Sequence, residues 1–170
     1  MNLQFLADGL ITGSLIGLGA IGVTLTYSIL RFSNFAHGDL MAWGAYAALT
    51  LLGLISALVG SVAPIGVLSF GWPLILAAGL SMALIGGMAL VLDWLLFARL
   101  RAKGQAIIVV MASFGASMAL RSLLEFIFTS KPAYFSRAIQ MAMPVGLGIR
   151  VTPDQIVLLL VTLALVVAMH

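Results

Sequence analysis

The chain has 170 residues, of which 63% are hydrophobic and 8% charged, and eight Lys/Arg against five Asp/Glu give a net charge of +3. A soluble domain carries about 25% charged residues, so this composition excludes a globular surface facing water and leaves lipid as the solvent. Cysteine is absent, which excludes a disulfide framework and any thiolate metal site.

Spanning a hydrocarbon core takes about 20 apolar residues at about 1.5 Å rise each. The N-terminal MNLQFLADG has no basic region ahead of its apolar stretch, so it reads as part of an uncleaved first span and not as a signal peptide. That span covers residues 10–30 and stops at Arg31, and the second covers 40–59. Between them lie Arg31, Ser33, Asn34, His37, Gly38 and Asp39. A turn-rich stretch with Gly60, Pro64, Gly66 and Gly71 follows, and Trp72 and Pro73 mark re-entry, as interfacial Trp and first-turn Pro do. The third span runs over 73–97 with Asp93 near its end, and Arg99, Arg101, Lys103 and Gly104 form a short basic loop. The fourth, 105–128, carries Arg121 and Glu125. A longer connection over 129–152 holds Lys131, Pro132, Tyr134, Arg137, Pro144, Gly146 and Gly148. The fifth apolar run, 154–170, opens at Pro153 and Asp154 and reaches His170 without a closing basic or aromatic anchor.

The expected fold is all-α: a polytopic transmembrane helix bundle, one domain over residues 1–170, with a broken or re-entrant segment between the first two spans. The concentrated basic loop at 99–103 sets that side as cytoplasmic. Alternation then puts Arg31 inside, and the N-terminus and the 129–152 connection outside. Gly9, Gly13 and Gly17, and likewise Gly79, Ala83 and Gly87, recur every four residues, a spacing that offers a flat stripe to another helix. Arg121 and Glu125 are spaced to pair along one helix face and lie near its end, where long side chains reach water. Asp93 lies close enough to the basic loop to balance its charge. Ser113, Ser117 and Arg121 form a polar stripe, which in a membrane usually serves packing.

The informative stretch is 31–46, RFSNFAHGDLMAWGAY. It reads either as a plain cytoplasmic turn or as a broken-helix element at membrane depth, where irregular backbone is tolerated only if buried in protein or lining a watery cavity. Gly38 permits a left-handed or tight backbone, and Asp39, just ahead of the apolar run from Leu40, suits a helix N-cap. Asn34 and His37 share a face if the segment is helical. Two further chemistries use the same residues. An ion- or proton-coupled carrier would titrate His37 and Asp39, although the middles of the spans hold no acid. An intramembrane hydrolase would pair Ser33, Ser113 or Ser117 with His37, but no G-x-S-x-G elbow occurs. With no second internal His, zinc chemistry has no ligand set.

The segment NFAHGDLMAWGAY resembles the signature region of permeases of ABC transporters that import branched-chain amino acids. Members share a Gly-rich apolar first helix running into I/L-N-F-A-H-G-D/E and then L-M-x-x-G-A-Y, which here reads GLITGSLIGLGAIGVTLTYSILRFSNFAHGDL. The likeness resumes more loosely at ARLRAKGQAIIVVMASFGASMALRSLLEF. It is strong over residues 9–50 and weak over 60–80. The resemblance implies a permease in a bacterial inner membrane, paired with a second permease subunit and two cytoplasmic ATPase subunits and fed by a periplasmic solute-binding protein. It also implies no cofactor and no catalysis in this chain, with ATP hydrolysis on the partners. Asn34, His37, Gly38, Asp39 and Ser113 are then the residues expected to form the translocation path or hold its broken-helix element. Permeases of this kind are longer and carry a cytoplasmic coupling segment after the fifth span, so the sequence is expected to be the N-terminal portion of one. Urea and short-chain amide permeases share the signature, which leaves the solute open among these.

Overall fold

The computed structural model describes residues 3–60, 71–102, 104, 106–129, 134–135, 143–146 and 149–169. The expectations placed on Pro64, Gly66, Lys103, Gln105, Lys131, Pro132, Arg137, Gly148 and His170 lie outside these residues.

Five helices carry the fold: α1 (Leu3–Leu30), α2 (His37–Val59), α3 (Trp72–Arg101), α4 (Ala106–Phe128) and α5 (Pro153–Met169). The first four are long and apolar enough to cross a membrane, and α5, at 17 residues, is shorter. Their apolar side chains point outward, with Leu58 86%, Phe126 85% and Met82 77% exposed. Such faces need a hydrocarbon solvent.

Local chemistry sets each boundary. At the end of α1, Arg31 takes a left-handed conformation at φ 59° while its N–H donates to the Tyr27 carbonyl at 2.9 Å. Only after that does the chain turn. Gly60 closes α2 at φ 83°, where glycine avoids the Cβ clash, and its N–H donates to Ser56 O at 3.0 Å. Gly71 and Pro73 open α3 as the sequence pattern expects. At the start of α5, the Gln155 side chain reaches back to accept from the Thr152 N–H at 2.9 Å, half of a capping box, with Pro153 in the first turn.

The basic loop is shorter than its sequence suggests. Arg99 and Arg101 belong to the last turn of α3, beyond a wide π-type turn at Asp93–Phe97. Arg101 donates to both carboxylate oxygens of Asp93, at 2.6 and 2.8 Å, so Asp93 has the charge-balancing role expected of it. Arg99 lies over the Trp94 ring at 5.6 Å.

The most extensive packing is α2 against α3, and α2 also packs on α4. α1 lies mainly against α5 and only lightly against α2. A two-stranded antiparallel ribbon, β1 (Met143–Gly146) with β2 (Ile149–Val151), pairs Met143 with Val151. Gln4 joins α1 to this ribbon as a main-chain group would: its Nε2 donates to the Arg150 carbonyl at 3.1 Å and its Oε1 accepts from the Arg150 N–H at 2.8 Å. The start of α1 and the ribbon therefore share one end of the bundle, and Arg31, Arg99 and Arg101 mark the other.

The small-residue stripes do not bind helices within this chain. A methyl group added at Gly9, Gly13, Gly17, Gly79 or Gly87 would meet nothing within 4 Å. Those faces are open among the described residues.

Two ion pairs among the described residues differ in what they support. Asp93–Arg101 is bidentate with side chains 30% and 31% exposed, whereas Arg121–Glu125 is a single contact at 3.4 Å with side chains 75% and 52% exposed. Asp93→Asn is expected to lower the unfolding free energy in detergent by about 1 kcal/mol, and Glu125→Gln by less than about 0.5 kcal/mol. Thermal unfolding of the two variants side by side checks the ranking, and equal effects would contradict it.

Candidate functional site at the α1–α2 connection

Residues 31–36 leave helical geometry, so their backbone polar groups need partners from elsewhere. Much of that partnership comes from α4. Ser113, fully buried, accepts from the Phe35 N–H at 3.2 Å and lies within reach of the Ser33 carbonyl at 3.4 Å and the Val110 carbonyl at 2.8 Å. Asn34 serves its own segment: its Oδ1 accepts from the Ala36 N–H at 3.1 Å, and its carbonyl accepts from the His37 N–H at 3.4 Å. This is an Asx-type turn, in which the amide side chain substitutes for a backbone acceptor.

Asn34 therefore makes the turn for which the sequence pattern offers Gly38. Asp39 is not the N-cap of α2. Ala36 occupies that position with no side-chain cap, and Asp39 lies inside the first turn. Its carboxylate accepts from the Ser117 hydroxyl of α4 and sits at the positive end of the helix dipole. Gly38 departs from expectation as well. It is an ordinary helical residue, absent from the positive-φ positions, and a methyl there would meet nothing within 4 Å. Because 34–36 are not helical, Asn34 and His37 do not share a helix face.

Aromatic packing seats the connection. Phe32, 5% exposed, packs on Phe97 at a ring distance of 5.3 Å and beside Val109, and the Arg101 guanidinium lies over its ring at 5.9 Å. Ala36 and Leu40 are buried with Leu120, and Trp43 Nε1 donates to the Leu120 carbonyl at 3.0 Å. On the α1 side, the imidazole of His37 abuts Gly22. A Cβ built on Gly22 would come within 2.6 Å of His37 Nε2.

These contacts fix a height. Ser117 lies about 16 Å along α4 from its start at Ala106, and Gly22 lies about 12 Å above the end of α1 at Leu30. The cluster of Ala36, Leu40 and Leu120 packs against Ala89, which is about 18 Å above the end of α3 at Arg101. The start of α2 therefore meets its three neighbours about 12 to 18 Å from their basic ends, while Phe32 stays near the basic end. The chain descends in α1, turns at Arg31 and climbs back before helix resumes.

Of the residues singled out from sequence, Ser113 and Asp39 are joined to this element through α4, Asn34 shapes it from within, and His37 faces α1. Ser117, Gly22, Trp43 and Phe32 complete it. The polar stripe on α4 was the available signal for Ser117, since the hydroxyls of Ser113 and Ser117 are one turn apart and meet the same connection. The hydrolase arrangement is not assembled. Ser113 and Ser117 are bonded to the backbone and to Asp39, and no serine hydroxyl bonds to the His37 ring among the described residues.

Comparison with known proteins gives this geometry its context. Residues 5–170 match the family described as the permease component of branched-chain amino acid transport systems. The chain belongs to that family. With four helices long and apolar enough to cross a membrane, it is a multi-pass membrane protein. Over 54 residues it is 43% identical to the high-affinity branched-chain amino acid transport system permease protein BraD of Pseudomonas aeruginosa, a stretch covering 32% of this chain and 18% of that relative. No solved structure gives a significant match.

The fit of His37 against Gly22 is directly testable. Gly22→Ala is expected to destabilise the chain by about 1–3 kcal/mol through overpacking, and His37→Ala in the same chain is expected to recover most of that loss. A double-mutant cycle by thermal unfolding in detergent checks this, and additive effects would show that the two residues do not meet.

Proposed function

We propose that this chain is a membrane-spanning permease subunit of an ATP-driven importer of branched-chain amino acids, and that the connection from Arg31 to Asp39 shapes the solute route at mid-bilayer. The observation that carries this reading is the height of that connection: Asp39 meets Ser117 about 16 Å above the start of α4, close to half of a hydrocarbon core about 30 Å thick. An acid held there in a membrane has few structural uses, and intramembrane ionisable residues mark solute and ion routes. In this reading Asp39 and Ser113 hold the break open, Asn34 shapes it, and His37 orients the solute by hydrogen bonding.

The work comes from partner subunits. Two cytoplasmic ATPases, a second permease and a periplasmic solute-binding protein complete the importer, and this chain needs no cofactor. It sits in the bacterial inner membrane with the start of α1 and the 143–151 ribbon on the periplasmic side. The positive-inside rule supports this, since Arg31, Arg99 and Arg101 lie at the other end. Read as part of a longer permease, residues 1–170 form one transmembrane domain.

Proteoliposomes carrying the assembled importer test the reading. Uptake of L-leucine is expected to need ATP and the binding protein and to ignore ion gradients. Ser113→Ala, which leaves the Phe35 N–H without its acceptor, is expected to slow uptake by about tenfold, a barrier change of about 1.4 kcal/mol. Uptake that follows a proton or sodium gradient without ATP would overturn the importer in favour of a coupled carrier working through His37 and Asp39.

A further inference from the structure

A groove of about 530 Å³ runs between α2 and α3, from His37 at mid-height to Ala48 and Ala78 in the half of the bundle nearer the ribbon. Its length along α2 is about 16 Å. Its lining includes the small residues Gly44, Ala48, Gly86 and Ala89, so the two helices leave a trough where larger side chains would have closed the seam. Met41 and Met82 flank it with unbranched, adaptable side chains. Its polar chemistry is confined to one place. Ser81 is already committed, donating to the Gly44 carbonyl at 2.6 Å. Asp39 is engaged by Ser117 on α4 and does not line the trough. That leaves His37 at the inner end, its ring without a hydrogen bond among the described residues. A mostly apolar concavity of a few hundred Å³ with one convergent polar group is the usual form of a small-molecule site.

We propose that this groove binds the transported solute, with a branched aliphatic side chain lying against Gly44 and Gly86 and the polar head of the amino acid against His37. The proposal deepens the transport reading and rests on it. The groove starts at the level of the irregular connection and rises toward the opposite end of the bundle, so a solute entering from that end passes along apolar walls before it reaches the imidazole. Branching is favoured because small lining residues accept bulk near the Cα, where larger side chains would reject it. Small hydrophilic solutes such as glycine or urea would leave that lining uncovered and gain little.

Residues 1–170 hold no cysteine, so a thiol introduced there is the one alkylation site within them. Ala89→Cys is placed in the lining, and its alkylation by N-ethylmaleimide is followed in membranes containing the whole importer. Saturating L-leucine or L-valine is expected to slow alkylation by about fivefold, as occupancy by mass action requires, and glycine and urea are expected not to. In parallel, Gly86→Leu fills the trough, and a Cβ there meets nothing within 4 Å, so the helices need not move. It is expected to reduce uptake by about tenfold, equivalent to about 1.4 kcal/mol. Gly79→Leu, on the same helix but outside the groove lining, is expected to transport normally. The proposal is overturned if leucine fails to protect the thiol, if the thiol is unreactive under every condition because lipid or a partner helix covers the trough, or if Gly86→Leu imports like the parent. Absence of ATP-driven uptake in the unaltered assembly would count against the transport reading instead. The protection assay needs no turnover and still decides the groove.

Discussion

The structure depends on how the irregular backbone between two apolar helices finds partners within the protein. A buried N–H or carbonyl left unpaired costs about 1–3 kcal/mol, so residues 31–36 are held in place by the protein groups that meet them. Ser113 meets Phe35 and Ser33, Asn34 meets Ala36 and His37, and Tyr27 meets Arg31. Once these bonds hold the connection against α4, the position of α2 follows, because its first turn is anchored by Asp39 on Ser117 and by Trp43 on Leu120. α3 then packs along α2, and its lower end closes over Phe32 through Phe97 and Arg101.

This arrangement shows why ordinary core logic is a poor guide in such a chain. Lipid tails are as apolar as leucine, so burying Phe32 or Leu40 yields little from the hydrophobic effect. Close packing and hydrogen bonds supply the specificity. The residues that position the element are accordingly small or polar: Gly22 makes room for His37, Ser113 and Ser117 present hydroxyls one turn apart, and Ser81 bonds the Gly44 carbonyl where α2 and α3 approach. The large apolar residues mostly face outward.

Much of this was legible in the sequence. Hydropathy marked the apolar runs that the four long helices contain, although α1 begins at Leu3 and α3 continues to Arg101, and Pro73 and Pro153 marked the starts of two helices. The segment 31–46 stood out as the place where polar residues interrupt apolar runs. Other features were not legible, for physical reasons. A carboxylate before an apolar run suits an N-cap, and only the partner on α4 shows that Asp39 is used elsewhere. Gly38 looked like a turn residue because glycine tolerates any backbone, but tolerance does not say which conformation is taken. The four-residue glycine spacing on α1 and α3 marks faces that can receive a helix, and spacing alone cannot say whether that helix belongs to the same chain. The proximity of Gly22 to His37 is a tertiary contact with no local signal.

The central claim is that α2 begins beside the middle of α4 and not beside its basic end. Oxidative cross-linking tests it most directly, because residues 1–170 hold no native thiol. With Asp39→Cys and Ser117→Cys in one chain, mild oxidation in native membranes is expected to form an intramolecular disulfide rapidly, and Asp39→Cys with Ile107→Cys is expected not to. Cross-linking to position 107 in preference to 117 would place the connection at the membrane surface and contradict the account.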